Sequence, residues 1–208
     1  PHPSITPGFS GEFIAVNGKV WPYLEVEQKK YRFRMLNASN QRFYRIRLSS
    51  GQPFTIIGSD GGLLQRPVTV DQIILAPAER CDMIVDFSQH EVGTQIEMTN
   101  DATVPFDFGA PPDPDTTGRI MQFRVVESDT PDTSIVPPVL SKIDRIKEHE
   151  ACRIRDITLD VTTDSFGRLK FMLANHEYID KITERPALGD TEIWRIINDG
   201  IANHPIHI

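Results

Sequence analysis

The sequence predicts an all-β protein: a sandwich or barrel of short antiparallel strands, followed by a second and smaller β region. Apolar and polar residues alternate with a period of two over many short runs, of which residues 31–35 (Tyr-Arg-Phe-Arg-Met) are one. Clusters of Gly, Pro, Asn and Asp separate these runs at intervals of about 8–12 residues between positions 9 and 127. That region carries no convincing helical period. Together these observations are typical of packed antiparallel sheets.

The first predicted strands flank a two-residue turn. Residues 12–16 run into Asn17-Gly18, and the chain continues as Lys19-Val20-Trp21. Asn-Gly between apolar runs is typical of a type I′ hairpin, because both residues tolerate positive φ. Pro22 then marks a strand end or a sheet edge.

The remaining strands of this region follow in order. They are predicted at residues 31–35, 44–48, 53–57, 68–75, 80–87, 94–99 and 120–126. With the hairpin, this gives about eight or nine strands, which two packed sheets can hold around one core. We interpret the glycine-rich residues 58–62 as a turn or bulge, since neither Gly-Lys-Ser/Thr nor an amphipathic helix follows. Asn37-Ala38-Ser39 matches a glycosylation sequon, and we interpret it as turn chemistry.

Residues 128–151 differ in composition. They contain three prolines and a charged run, which indicates an interdomain linker, and Ile143 and Ile146 have the spacing of one helical turn. Strands resume at residues 154–161, 169–173, 193–197 and 204–208. Four or five strands would leave edges and one apolar face uncovered, so this second domain is predicted to be incomplete.

The composition excludes several classes of partner. The net charge of −7 disfavours nucleic acid and anionic membranes. No run reaches the roughly 18 apolar residues that a membrane helix needs. The basic residues 29–34 alternate with aromatics; an RNA-binding face is one interpretation, and the solvated side of antiparallel strands is the favoured one. The first residues have no signal-peptide pattern and are expected to be a loop from within a longer protein.

The two cysteines do not form a recognisable site. Cys81 and Cys152 have no Cys-x-x-Cys spacing and are too few for a disulfide framework. Cys81 alternates with Met83, Val85 and Phe87, which predicts a small apolar side chain in the core. No histidine flanks it, as a metal-binding thiolate would require here.

The last residues contain the candidate metal ligands. His204 and His207 lie three apart in a predicted strand, where an odd separation places side chains on opposite faces. One strand could therefore serve two metal sites, and imidazole suits Cu, Zn, Fe or Ni. Pro205 indicates an edge or bulged strand. A histidine pair without a metal remains the alternative on spacing alone. His149 fits a solvated charge run, and His176 lies at a predicted turn without a nearby partner.

Residues 203–208 (Asn-His-Pro-Ile-His-Ile) resemble the start of the H-P-x-H-L-H motif of multicopper oxidases. The wider chain resembles the bacterial spore-coat-type laccases, which are related to bilirubin oxidases. The resemblance is carried by residues 11–12, 16–27, 30–34, 37–40, 58–64, 75–80, 120–125 and 191–194. It extends over nearly the whole chain in one order.

The resemblance implies a fold and a set of copper sites. The fold is a cupredoxin-like Greek-key β-sandwich, with residues 1–127 as a complete, copper-free middle domain. Residues 128–151 are then the linker, and residues 152–208 the N-terminal part of a third, partial cupredoxin-like sandwich. The family uses a type 1 copper and a trinuclear type 2/type 3 cluster. His204 would be a type 1 ligand and His207 a type 2, trinuclear-cluster ligand.

The implied activity is one-electron oxidation of phenolic-type substrates coupled to reduction of O₂ to water. The family's two His-x-His motifs and its His-Cys-His segment do not occur in this sequence. The 208-residue chain alone is therefore expected to be inactive. Its expected partners are first-domain and C-terminal segments of the same oxidase, O₂ and a small phenolic reductant. A spore-coat or extracytoplasmic location is implied. The alternatives are a non-enzymatic, copper-free cupredoxin-like scaffold or interaction module, and an unrelated β-sandwich with an incidental histidine pair.

Overall fold

The computed structural model describes residues 8–207, which form strands, turns and loops apart from one short helical turn. The strands are β1 (Ala15–Val16), β2 (Lys19–Val20), β3 (Tyr23–Glu27), β4 (Lys30–Leu36), β5 (Tyr44–Leu48), β6 (Phe54–Ser59), β7 (Gly62–Val70), β8 (Ile73–Leu75), β9 (Arg80–Asp86), β10 (Gln95–Asn100), β11 (Arg119–Val126), β12 (Arg153–Thr163), β13 (Leu169–Leu173) and β14 (Glu192–Ile197). The helical turn is of 3-10 type and spans Glu148–Glu150. In the described part of the chain no helix is long and apolar enough to cross a membrane. The all-β prediction is confirmed.

The described residues divide into two compact units. Residues 8–142 and residues 203–207 form the first unit, and Ile143–Ala202 form the second. The histidine-containing segment 203–207 therefore packs with the first unit, although its neighbours in sequence lie in the second.

The first unit is a two-sheet sandwich. One sheet has the strand order β3-β11-β10-β5-β8, and the other has the order β4-β9-β6-β7. Neighbouring strands in both sheets are antiparallel, except that β3 and β11 run parallel. The hairpin β1–β2 forms a ladder of its own and turns at Asn17 and Gly18, whose φ values of 50° and 80° are those of the predicted type I′ turn.

The core lies between the two sheets and follows from the period-two alternation. Cys81, Met83 and Val85 point inward from β9 and are each at most 7% exposed. The Phe123 ring centroid lies 5.1 Å from that of Phe87 and 5.4 Å from that of Phe33. The prediction that Cys81 is a core residue is confirmed.

The basic stretch on β4 faces solvent on one side only. Arg32 and Arg34 are exposed, while Tyr31 and Phe33 pack against the core from the other side. Arg32 is paired with Asp82 on the neighbouring strand β9. The solvated-strand interpretation of this stretch is confirmed.

Two features of this sandwich differ from the sequence prediction. The parallel strand β3 was not predicted, because Tyr23–Glu27 is short and follows Pro22, which indicated a strand end or a sheet edge. The prediction of one strand over residues 68–75 is wrong, because β7 ends at Val70 and β8 begins at Ile73 in the opposite sheet. The turn or bulge predicted near residues 58–62 is confirmed, since the β6–β7 register shifts between Ile56 and Gly58 before the hairpin turn.

Residues 128–142, here called the strap, lie along the outside of the sandwich. The strap is held near its start, where the Lys30 backbone N–H donates to Asp132 Oδ2 at 2.8 Å and Lys30 Nζ lies 3.2 Å from the same oxygen. It is held near its end, where the Leu140 N–H donates to the Gln65 carbonyl at 3.0 Å. The strap is thus attached to both edge strands, β4 and β7, of the four-stranded sheet.

Asp132 is expected to make the stability of the first unit depend on pH in the acid range. Hydrogen bonds from the Ser134 hydroxyl, the Lys30 backbone N–H and the Ser134 backbone N–H hold the Asp132 pKa well below its ordinary value. A lowered folded-state pKa contributes stability that is present above the unfolded pKa of about 3.9 and is lost as pH falls toward the folded pKa. The free energy of unfolding, measured with urea between pH 5 and pH 3, should fall more steeply for the parent chain than for Asp132→Asn.

The control for this measurement is Asp71→Asn, at an exposed carboxylate between β7 and β8. For Asp71→Asn, the free energy of unfolding should fall with pH as it does for the parent chain. An identical slope for Asp132→Asn and the parent chain would refute the attachment of the strap through this carboxylate.

The second unit is a three-stranded sheet with the order β13-β12-β14, so the predicted four or five strands are too many for its described residues. The Arg155 guanidinium pairs with Glu192 and, together with a hydrogen bond from Trp194 Nε1, lowers the pKa of Glu192 to about 2. Val161 and Phe171 are 57% and 48% exposed on this sheet. The helical turn lies at Glu148–Glu150 and not at residues 143–146 as predicted.

Candidate functional site

The candidate site is the segment of residues 203–207, which contains both histidines of the His-Pro-x-His pattern. The strand predicted over residues 204–208 is wrong for the described residues, because 203–207 form no ladder with any neighbour. Pro205 has no N–H to donate to a ladder. The assignment of the two histidines to opposite faces of a strand therefore does not apply, and their contacts distinguish them instead.

Both ring nitrogens of His207 face polar groups of the first sandwich. Nε2 donates to the backbone carbonyl of Pro77 at 3.0 Å. Nδ1 lies 3.4 Å from Oδ2 of Asp60. Each contact joins residues more than a hundred positions apart in the sequence.

Asp60 is itself fixed in the turn between β6 and β7. Its second carboxylate oxygen, Oδ1, accepts a hydrogen bond from the Arg80 backbone N–H at 2.6 Å. The Arg80 guanidinium Nε lies 3.5 Å from the same oxygen. One oxygen of Asp60 therefore closes the turn onto β9, and the other is left to face His207.

Pro77 lies in the loop between β8 and β9, which is closed by hydrogen bonds at both ends. The Ala78 N–H donates to the Asn37 carbonyl at 2.9 Å, and Ala78 has a φ of 66°. The Ala76 N–H donates to Glu79 Oε2 at 2.6 Å. These bonds fix the direction of the Pro77 carbonyl.

Asn37 anchors the base of that loop. Its side chain is buried, and Nδ2 donates to the carbonyls of Arg42 at 2.7 Å and Leu75 at 2.9 Å. Its Oδ1 accepts the Ser39 N–H at 3.0 Å, which is an Asx turn. The turn interpretation of the Asn37 sequon is confirmed, because the amide is fully used inside the sandwich.

His204 lies in a different environment. Its side chain is exposed, and within residues 8–207 it has no hydrogen-bond or charged partner. The preceding Asn203 is tied to the sandwich, since its Nδ2 donates to the Phe106 carbonyl at 3.4 Å. The Phe106 ring stacks on Phe43 with centroids 4.5 Å apart. His204 thus presents an accessible imidazole from a segment held on either side.

The described residues fit the imidazole part of a metal centre but not its thiolate part. Burial raises the pKa of the Cys81 thiol to about 11, so Cys81 is a neutral thiol directed into the core. Cys152 is exposed and belongs to the second unit. Among residues 8–207, no group of three or more His, Cys, Asp and Glu side chains is placed to hold a metal ion.

The other histidines do not join the candidate site. His149 lies in the exposed 3-10 turn, and His176 Nδ1 lies 3.6 Å from Asp180 in the second unit. His90 is hydrogen-bonded to Gln52. His2 is outside the described residues.

Sequence reasoning did not identify Asp60 and Pro77 as site residues. Both lie in stretches that carry the family resemblance, residues 58–64 and 75–80, but neither stretch has metal-ligand spacing. Only the folded sandwich brings them to His207.

Comparison with known proteins gives one consistent result. Residues 8–113 match the family model described as multicopper oxidase. The chain is 47% identical to the laccase of Bacillus subtilis (strain 168) and 44% identical to the laccase of Bacillus stratosphericus, in each case over 100% of this chain and 40% of the relative. Among solved structures, the McoA multicopper oxidase of the hyperthermophile Aquifex aeolicus superimposes with a TM-score of 0.75 at 31% identity, over 95% of this chain and 44% of McoA. The chain thus spans about two fifths of the length of the curated relatives that it matches.

Proposed function

The chain belongs to the multicopper oxidase family, and from this premise we propose that it is part of a laccase-like oxidase. The whole protein would couple one-electron oxidation of phenolic-type substrates to reduction of O₂ to water. Copper is the cofactor of the family, and the folds of its solved members are cupredoxin-like, as is the two-sheet sandwich of this chain. The observation that carries the proposal is the His-Pro-x-His segment held on that sandwich.

We propose the domain boundaries that the resemblance implies. Residues 1–127 are the middle domain, residues 128–151 the linker, and residues 152–208 the start of the third domain. The two packed sheets with one continuous core support the first assignment. The exposed apolar side chains on the three-stranded sheet of the second unit support the third, because a sheet of a sandwich buries that face against a partner sheet.

We propose that His204 is a ligand of the type 1 copper and His207 a ligand of the trinuclear cluster. The accessible imidazole of His204 and the fixed imidazole of His207 support two separate roles. When bound, the coppers would accept electrons from the reductant and deliver them to O₂. The contribution of this chain is to present the two imidazoles and to hold them in place on the middle domain.

The 208-residue chain alone is proposed to be inactive. A type 1 copper requires a thiolate and several imidazoles in a fixed geometry, and Cys81 supplies no thiolate because it is buried and protonated. The missing ligands would come from first-domain and C-terminal segments of the same oxidase. An extracytoplasmic or spore-coat location is proposed from the resemblance alone.

Oxygen consumption tests the proposed function. A longer protein from the same reading frame, loaded with copper and carrying the missing ligand segments, should consume O₂ in the presence of a substituted phenol and should release no hydrogen peroxide. The 208-residue chain, treated with copper in the same way, should consume none. A copper-loaded longer protein without phenol-dependent O₂ uptake would favour the scaffold or interaction-module alternative.

A further inference from the structure

We propose that Asp60 and the Pro77 carbonyl are positioning groups for His207. The sandwich that supplies no copper ligand would thereby fix the orientation of one ligand before any metal is bound. The significance of this inference rests on the proposed function, because it concerns a histidine proposed to bind the trinuclear cluster. The contacts of His207 with Asp60 and Pro77 lie within this chain and can be tested without copper.

Both nitrogens of the His207 ring lie close to an acceptor on the sandwich. The Pro77 carbonyl accepts from Nε2 at 3.0 Å, and the Asp60 carboxylate lies 3.4 Å from Nδ1. Rotation of the ring about its Cβ–Cγ bond breaks both contacts. The two partners therefore select one orientation of the imidazole.

Asp60 and the Pro77 carbonyl are held in place by contacts that do not involve His207. Asp60 Oδ1 is occupied by the Arg80 N–H at 2.6 Å, which directs Oδ2 away from β9. The Pro77 carbonyl belongs to the loop closed by the Ala78–Asn37 hydrogen bond. Both acceptors therefore have contacts of their own that do not involve His207, as preorganisation requires.

A histidine that binds a metal through one nitrogen commonly donates its other N–H to a carboxylate or a backbone carbonyl, which fixes the ring and strengthens the ligand. His207 has one acceptor of each kind. A neutral ring carries one N–H, which can donate to its acceptor on the sandwich, and copper binding through the other nitrogen would displace that nitrogen from the group it faces. His204 has no such partner within the described residues, so the positioning is specific to His207.

Ring nitrogen NMR of the metal-free 208-residue chain, labelled with ¹⁵N-histidine, tests the proposal. Asp60→Asn keeps an oxygen to accept the Arg80 N–H and replaces the oxygen that faces His207 with an NH₂ group. It should shift the His207 Nδ1 resonance and leave His204 unchanged. The matched control Asp71→Asn should shift neither. A His207 Nδ1 resonance that is the same in Asp60→Asn and the parent chain would overturn the proposal.

A reciprocal measurement avoids any effect of Asp60 on folding. His207→Ala alters only the exposed terminal segment and should shift the ¹³C resonance of the Asp60 carboxylate. His204→Ala should not shift it. Equal effects, or none, from the two histidine variants would overturn the proposal.

The two hypotheses fail separately in this design. Both NMR measurements are made without copper and report the docking of His207 alone. Loss of docking with normal phenol-dependent O₂ uptake in the longer protein would overturn the positioning role only. Intact docking in a longer protein that does not reduce O₂ would contradict the proposed function only.

Discussion

Replacing His204 and His207 one at a time in a copper-loaded protein that extends beyond residue 208 is expected to produce two different defects. His204→Ala should remove the intense blue absorption of the type 1 centre and lower phenol oxidation by at least about 100-fold, since loss of partners outside the ligand set already costs 10–100-fold. His207→Ala should keep the blue absorption and lose O₂ reduction by a similar factor. Each imidazole would serve a different centre, so the spectroscopic and kinetic defects should separate.

The control for this pair is His149→Ala, because His149 is an exposed histidine in the 3-10 turn. It should retain both the blue band and O₂ uptake. Absorption spectra, copper content and O₂ uptake of the three variants would decide the assignment. Loss of the blue band in His207→Ala with its retention in His204→Ala would reverse the two roles.

Phe123→Ala should destabilise the first unit by about 3–5 kcal/mol, the range found for large aromatic side chains removed from protein cores. Phe123 is fully buried on β11, and its ring packs against Phe33 from one sheet edge and Phe87 from the end of β9. Domains of this size are stable by only about 5–15 kcal/mol. The substitution is therefore expected to remove a large part of the free energy of unfolding.

Urea unfolding followed by fluorescence measures this effect. Trp21 lies in the first unit and Trp194 in the second, so variants that lack one tryptophan assign each transition to its unit. The matched control Phe108→Ala removes a ring that is 54% exposed and should change stability by no more than about 0.5 kcal/mol. Equal changes for the two phenylalanine variants would contradict the position of the core between the two sheets.

The sequence was sufficient to predict the strands whose faces differ in polarity. β4 and β9 alternate clearly because one face packs in the core and the other meets solvent. β3 was missed although Leu24 to Glu27 alternate in polarity, because the strand has only five residues and follows Pro22. The break between β7 and β8 was missed because the residues on both sides of it are apolar. The sequence therefore does not show that the chain changes sheets there.

The candidate site was only partly accessible from sequence. The histidine pair was found from its spacing, and the resemblance suggested its copper roles. The irregular path of residues 203–207 was not predicted, because a short apolar run favours a strand until Pro205 and the absence of a neighbouring ladder are taken together. Asp60 and Pro77 could not be linked to His207, since those contacts depend on how the β6–β7 turn and the β8–β9 loop are folded.

We propose that this chain carries two imidazoles of a copper enzyme and no thiolate to complete a type 1 centre. Titration of the purified 208-residue chain with Cu(II), followed by visible absorption and electron paramagnetic resonance, tests it most directly. We expect weak signals of copper bound by imidazole, reduced in His204→Ala and in His207→Ala, and no intense blue band. An intense blue thiolate–Cu(II) band from this chain alone would contradict the claim, because Cys81 would then have left the core or Cys152 would have joined a histidine at a copper site.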